Sequence, residues 1–385
     1  DDVDTNIRQD WSTEFNWTKF NLQYSYSLRK GILRSLIILS VSNDTNLIDF
    51  VDDIIRESIR PTVDWWLTAC QSGILSLMAE ASLQVFLNTV EDNIESEDSA
   101  IKTIFKNDFA HESYFGNGAH YTSILHAIET AAWIPDCLPM ASDILLSLSK
   151  FGKKKGWANN ASESLKDIYH VFFPHTFATL DQRIEKLKLM SDIEPDITFQ
   201  LCYDILKGRN NSVMVSSSST LWRTFGKSQP FVNKINDIER SLDCLVEICC
   251  KKENIRENEY IALIDIAGDR QNPKISIESK NKVLAKLDET ALQFKGNQNI
   301  LKELHSLDYL NFELSDKKHS QRDLWEESLI EKVEPEDIIE REVWKFSNSY
   351  AEPSTYDKDY NKIPEKKDKN REIAFKRIKE TKGIV

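Results

Sequence analysis

The chain has 385 residues and a net charge of -13, and its hydrophobic and charged fractions of 41% and 29% exclude a chain that is disordered throughout. The acidic balance opposes non-specific attraction to a phosphate backbone, and no apolar run reaches the ~18 to 20 residues of a membrane-spanning helix, so we expect neither a nucleic-acid nor a membrane partner. The scarcity of turn-forming residues, with 11 Gly and 10 Pro, argues against a sandwich, a barrel or a doubly wound sheet.

The predicted fold is all-α: an irregular array of helical hairpins, an α-solenoid of the HEAT or TPR kind, without a substantial sheet. Residues 1–25 are polar and rich in aromatics, and we interpret them as a lead-in arm. Helical spacing of apolar residues predicts a helical-repeat module over 26–209, with the most apolar stretch, 121–174, as its core. Within this module Ser82 is expected to cap a helix, and the glycine-containing stretch 114–118 is expected to be a loop.

A serine-rich stretch, 210–228, is the strongest break in the chain and is predicted to join the first module to a second helical module over 229–348. Apolar residues nearly vanish after that, so 349–370 is expected to be a charged flexible loop before a terminal helix over 371–385. The chain begins at Asp1 without an initiator Met, and we interpret it as a segment of a longer polypeptide.

Groups that could carry chemistry are sparse, and we predict no catalytic, cofactor-binding or metal-binding residue. The group that comes closest to a metal site is His120, His126 and Glu129, and the last two are one helical turn apart. Such a group would serve an uncharacterised all-α metal-dependent enzyme. A second Glu-x-x-His helix is absent from the sequence, so a hydrogen-bonded histidine is the favoured interpretation. The 6 Cys are scattered through apolar segments and are predicted to be free thiols of a reducing cytosol, which indicates a cytoplasmic location.

Tryptophan is the more informative residue type, because several of the 9 Trp stand beside polar or charged neighbours. An aromatic side chain in such a place would anchor a protein partner. The candidate partner-binding residues are Trp157, Trp222, Trp325 and Trp344. The alternative is that they are amphipathic rim residues that close one hairpin on the next.

Several phrases of the sequence together resemble one known family. They are Leu77-Met78-Ala79-Glu80-Ala81 with Phe86-Leu87, Leu125-His126-Ala127-Ile128-Glu129 with Trp133, Trp157-Ala158-Asn159-Asn160 with Ser164-Leu165-Lys166-Asp167-Ile168-Tyr169, and Arg341-Glu342-Val343-Trp344-Lys345-Phe346. They resemble the helical-repeat region of very large bacterial proteins whose other part is a STAND-type P-loop NTPase, among them antiphage defence sensors of the Avs type. Asn160-Ala161 stands where the family usually has Arg-Pro, and the chain contains no G-x-x-x-x-G-K-[ST] phosphate-binding sequence.

The resemblance implies a non-catalytic sensor or scaffold segment of a larger defence protein, one that binds a foreign (phage) protein, or other parts of the same polypeptide, and controls activation. It implies no cofactor in this chain and places any NTPase or effector activity outside it. A homo-oligomer would form through the parent protein. The alternative left open is a purely structural or oligomerisation scaffold.

Overall fold

The fold is all-α, as predicted, in a computed structural model that describes residues 25–42, 44–107, 110–113, 116–119, 121–151, 159–208, 220, 222–223, 235–268, 275–304, 321–346 and 366–383. The chain divides into two compact units, Asp1–Ser241 (unit 1) and Leu242–Val385 (unit 2). Residues 1–24 of the lead-in arm and most of the charged loop 349–370 lie outside the described residues. The predicted module boundaries stay predictions.

Unit 1 consists of helices with one short β-hairpin. Its helices are α1 (Tyr26–Ser40), α2 (Thr45–Ser58), α3 (Val63–Ser72), α4 (Leu75–Ala81), α5 (Leu83–Glu95), α6 (Ala100–Asn107), α7 (Thr122–Ala132), α8 (Leu138–Leu148), α9 (Ala161–Ile168), α10 (Leu180–Ile193) and α11 (Pro195–Gly208), followed by the start of α12 (Ile235–Lys251). The most extensive packings join α4 with α7 and α1 with α4, and in each pair two other helices lie between the partners along the chain.

Helix starts follow the local sequence. The Asn160 side chain accepts hydrogen bonds from the backbone N–H groups of Ser162 and Glu163 at 3.0 and 3.1 Å, which satisfies two donors at the start of α9. Thr179 and Gln182 form a reciprocal capping box at the start of α10. Pro195 occupies the first position of α11, where its missing N–H costs nothing.

The apolar stretch from Val63 onward is broken into α3, α4 and α5. Gly73 ends α3 with a left-handed φ of 59°, a conformation that favours glycine. The prediction that Ser82 caps a helix was wrong, because its side chain makes no capping bond. Its hydroxyl instead donates to Asp52 Oδ1 at 2.5 Å and ties α2 to the α4–α5 corner.

A two-stranded antiparallel hairpin occupies the stretch that contains the predicted loop. Strands β1 (Ala110–Ser113) and β2 (Gly116–Ala119) pair with Ala110 opposite Ala119. The Gly-Asn-Gly-Ala sequence of β2 has low strand propensity, so composition predicted no strand here. The two-residue connection is the commonest hairpin length.

The core of unit 1 is aromatic and aliphatic. Trp66, Phe86 and Trp133 are essentially fully buried, and the Trp66 and Phe86 rings meet edge to face with centroids 6.4 Å apart. Burial of each large apolar side chain stabilises the fold by about 1.5–3 kcal/mol. Trp66 and Trp133 are therefore core residues.

Unit 2 contains the rest of α12 and further helices. They are α13 (Glu257–Gly268), α14 (Ile277–Thr290), α15 (298–304), α16 (Gln321–Val333), α17 (Ile338–Glu342) and α18 (Lys366–Lys382), with 3-10 turns at Ala291–Phe294 and Val343–Phe346. The buried Tyr260 donates its hydroxyl to the backbone oxygen of Leu287 at 3.1 Å and packs against Phe294 with ring centroids 4.7 Å apart. None of the helices in the described ranges of either unit combines the length and apolar character needed to cross a membrane.

Candidate partner-binding site

A short segment of the predicted joint lies against the end of α4. The Arg223 guanidinium donates from Nε to the backbone oxygen of Glu80 at 2.6 Å and from Nη2 to that of Ala81 at 2.9 Å. Nη2 also lies 3.0 Å from the hydroxyl of Ser40, the last residue of α1. Because the last carbonyls of a helix have no partner within the helix, Arg223 caps α4 and links it to the end of α1.

Glu80 forms a further attachment between α4 and the Trp222–Arg223 segment. Its side chain is buried, at 2% exposure, and it accepts a hydrogen bond from the backbone N–H of Trp222 at 2.6 Å. Burial lowers the pKa of Arg223, while the negative charge of Glu80 opposes that shift. Glu80 is buried and Arg223 is partly buried, and the attraction between their opposite charges offsets part of the cost of removing them from water.

The result is an exposed tryptophan on a fixed backbone. Trp222 is 44% exposed, although its own N–H and the next side chain are bonded to buried groups. We call the group Trp222, Arg223, Glu80, Ala81 and Ser40 the Trp222 site. A large aromatic side chain whose backbone is already ordered has the properties of an interface anchor.

The other three candidate tryptophans do not share the described surroundings of Trp222. Trp157 lies outside the described residues, and for Trp344 only the backbone is described, in the 3-10 turn Val343–Phe346. Trp325 lies in α16 and is partly buried, and its Nε1 has no hydrogen-bond partner among the described residues. Trp222 belongs to unit 1 and Trp325 to unit 2.

Glu80 and Arg223 were not singled out from the sequence. Glu80 is the one charged residue in the apolar segment Leu75–Ala81, and a charge in such a segment needs a partner when the helix is buried. The sequence alone could therefore have indicated that Glu80 needs a partner. Nothing in the sequence indicated that Arg223 would lie beside it.

The residues considered for a metal site do not form one in the described part of the molecule. His120 lies outside that part, His126 is partly buried, and the buried Glu129 accepts a hydrogen bond from the Ser164 hydroxyl at 2.6 Å. Within the described ranges, no group of three or more His, Cys, Asp or Glu side chains is arranged to hold a metal ion. Glu129 is thus a buried hydrogen-bonded residue joining α7 to α9.

The cysteines are free, as predicted. Burial raises the pKa of the Cys70 thiol to about 12 and that of the Cys137 thiol to about 11. A nucleophilic cysteine needs the opposite shift, because the thiolate is the reactive form. Neither residue is an activated nucleophile.

Two buried histidines have a structural role in the turn after α9. His170 Nδ1 accepts hydrogen bonds from the backbone N–H groups of Phe172 and Phe173 at 3.2 and 3.1 Å. His175 stacks on Trp133 with ring centroids 5.6 Å apart. Burial lowers the pKa of both imidazoles, that of His170 to about 4, so both are neutral at pH 7.

No known protein family, curated protein or solved structure matches this chain. The resemblance to the helical-repeat region of STAND-type defence proteins stays a prediction.

Proposed function

We propose that this chain is a non-catalytic sensor or scaffold segment of a larger bacterial STAND-like NTPase defence protein, which binds a foreign protein and controls activation. The observation that supports recognition most directly is the fixed presentation of the exposed Trp222. The sequence resemblance supplies the parent protein and the phage origin of the partner, and the free cysteines support the cytoplasmic location. The proposal includes an α-solenoid of HEAT- or TPR-like hairpins, supported by the packing of consecutive helices such as α7 with α8 and α10 with α11.

An anchored aromatic favours binding for an energetic reason. Association normally costs conformational entropy, roughly 0.5–1.5 kcal/mol for each side chain that becomes immobilised. At the Trp222 site the backbone is held by the Trp222–Glu80 and Arg223–Ala81 hydrogen bonds before any partner arrives. A partner with an apolar pocket would therefore gain most of the free energy of burying the indole.

Control of activation requires that the partner prefer one state of the parent protein. A ligand shifts a conformational equilibrium only by its difference in affinity for the two states. The Trp222 site ties the ends of α1 and α4 together, so a partner bound there would favour the state in which this link is intact. That preference would couple recognition to a distant NTPase.

Site-specific crosslinking tests the proposal. A photoreactive phenylalanine analogue at position 222, in the full chain expressed in bacteria during phage infection, is expected to crosslink to a phage-encoded protein. With that protein purified, Trp222→Ala should weaken binding by about 30-fold, the effect of losing an interface hot spot of about 2 kcal/mol. Leu189→Ala, which truncates a side chain of 50% exposure on α10, is the matched control and should bind normally. Equal binding by both variants would refute recognition through Trp222.

A structural or oligomerisation scaffold is the second candidate, and exposed apolar side chains on α1 favour it. Leu28, Ile32 and Ile38 are 48%, 52% and 51% exposed. If these side chains join copies of the chain, sedimentation velocity should show an oligomer that Leu28→Glu dissociates. Crosslinks at position 222 would then join copies of the chain and capture no phage protein.

A further inference from the structure

Unit 1 contains an open cavity of about 280 Å³ away from the Trp222 site. It lies between α1, the end of α2, α3 and the start of α4. Leu33, Trp65 and Met78 are among the apolar side chains that line it, and its polar lining includes Arg29, Thr68 and Ser72. The volume is near the lower end of the range of about 300–1,000 Å³ that small-molecule sites occupy.

The Arg29 side chain is the unusual part of this lining. Its Nε is buried, yet within the described part of the chain it has neither a hydrogen-bond partner nor an ion-pair partner. The neighbouring hydroxyls of Thr68 and Ser72 donate to the backbone oxygens of Asp64 and Ala69 at 2.8 and 3.0 Å, and neither accepts a hydrogen bond from Arg29 Nε. A buried donor without an acceptor is rare in folded proteins and indicates a missing partner.

We propose that this cavity binds a small monocarboxylate with an aromatic or branched apolar body. One planar guanidinium matches one carboxylate through two parallel hydrogen bonds, whereas a phosphate dianion would need further positive donors. The Trp65 ring is held edge to face against buried Trp66, with centroids 5.1 Å apart and an interplanar angle of 85°. Trp65, Leu33 and Met78 then supply the apolar wall for the body of the ligand.

Methionine-methyl NMR of the full chain tests this inference at a defined place, because only 4 Met are present. Met78 lines the cavity, whereas Met140 and Met190 do not. Phenylacetate is expected to shift the Met78 methyl signal saturably and to leave those of Met140 and Met190 unchanged. The uncharged amide, phenylacetamide, has the same body and should bind about tenfold more weakly. No saturable shift at Met78, or equal binding of acid and amide, would overturn the proposal.

Substitution of the guanidinium gives the second arm. Arg29→Gln should weaken phenylacetate binding about tenfold and leave phenylacetamide binding nearly unchanged, since a charge-assisted bond is lost only with the acid. Arg34→Gln, an exposed position on the same helix that does not line the cavity, is the matched control. The Met140 and Met190 signals report whether each variant keeps its fold. Equal loss for acid and amide would refute the role assigned to Arg29.

Discussion

Arg223 donates from Nε to the backbone oxygen of Glu80 at 2.6 Å across a separation of 143 residues. This bond caps the end of α4 with a side chain from the serine-rich stretch 210–228. The same guanidinium bonds Ala81 and Ser40, so one residue satisfies acceptors at the ends of two helices. The link is therefore a tertiary helix cap, and its removal should affect both stability and the presentation of Trp222.

Arg223→Gln is expected to lower the free energy of unfolding by about 1–3 kcal/mol, because it shortens the side chain and leaves buried acceptors without a donor. Chemical denaturation measures this loss, and hydrogen exchange should show reduced protection at the Trp222 N–H. Arg240→Gln is the control, since Arg240 and its partner Asp181 form an exposed ion pair on the same unit. Equal stability of the two variants would contradict the tertiary cap.

Glu259 provides the corresponding test in unit 2. It is 1% exposed and accepts hydrogen bonds from Lys252 Nζ at 2.7 Å and from the backbone N–H and Nε of Arg256 at 2.8 and 2.9 Å. Burial alone raises the pKa of Glu259, but the bonds from Arg256 and Lys252 outweigh it and leave the pKa below its usual value. Glu259→Gln should cost about 3 kcal/mol, because it removes the negative member of the buried Lys252–Glu259 ion pair.

The pH dependence of unit 2 follows from the sign of that shift. A carboxyl whose pKa is lowered in the folded state stabilises the protein above its unfolded pKa, about 4.3, and the stabilisation disappears as the pH falls below it. Denaturation midpoints of Glu259→Gln and wild type should therefore converge in acid. Glu278→Gln, at an exposed i,i+4 pair with Lys282, should leave the midpoint unchanged at every pH. A constant difference between Glu259→Gln and wild type would contradict this prediction.

His170 should make unit 1 sensitive to mild acid. Burial, followed by the positive charges of His175 and Lys166, lowers its pKa from 6.5 to about 4. Between pH 6.5 and 4 the imidazole is protonated in the unfolded chain but not in the folded chain. The free energy of unfolding is therefore largest above pH 6.5 and falls by up to about 3 kcal/mol as the pH drops toward 4. His170→Asn retains an acceptor for the two backbone N–H groups that donate to Nδ1 in the wild type. It should remove much of the loss of stability in acid. Unchanged acid sensitivity in stability measured between pH 7 and 4 would assign the effect elsewhere, with buried His175 as the next residue to test.

The helices and much of the core could be predicted from the sequence because they depend on local information. Apolar spacing predicted the helices, and Pro195 marked the start of α11. The hairpin of β1 and β2 was missed because Gly116–Ala119 contains no strand-forming residue. Ser82 could have capped a helix, but the better partner was Asp52 from another helix. The Trp222 site depends on contacts between distant segments, which local patterns do not encode.

Two roles for Glu129, structural hydrogen-bond acceptor and metal ligand, predict different effects on stability. Its Oε1 accepts from Ser164 at 2.6 Å, while its buried Oε2 has no hydrogen-bond partner among the described residues. Ser164→Ala should therefore lower the free energy of unfolding by about 1–3 kcal/mol, because the carboxyl group loses its donor. Adding Glu129→Met to that variant should restore part of the loss, since an apolar side chain needs no donor.

A metal site at Glu129 and His126 would behave differently in the same measurements. A bound ion at a thousand times its dissociation constant stabilises the folded state by about 4 kcal/mol, which thermal unfolding detects easily. We expect Zn²⁺ and Fe²⁺ to leave the melting temperature of the wild-type chain unchanged. A metal-dependent rise that Glu129→Met abolishes would contradict the structural role. Because Ser164 already occupies one oxygen of Glu129, the hydrogen-bonding role accounts for the residue without an ion.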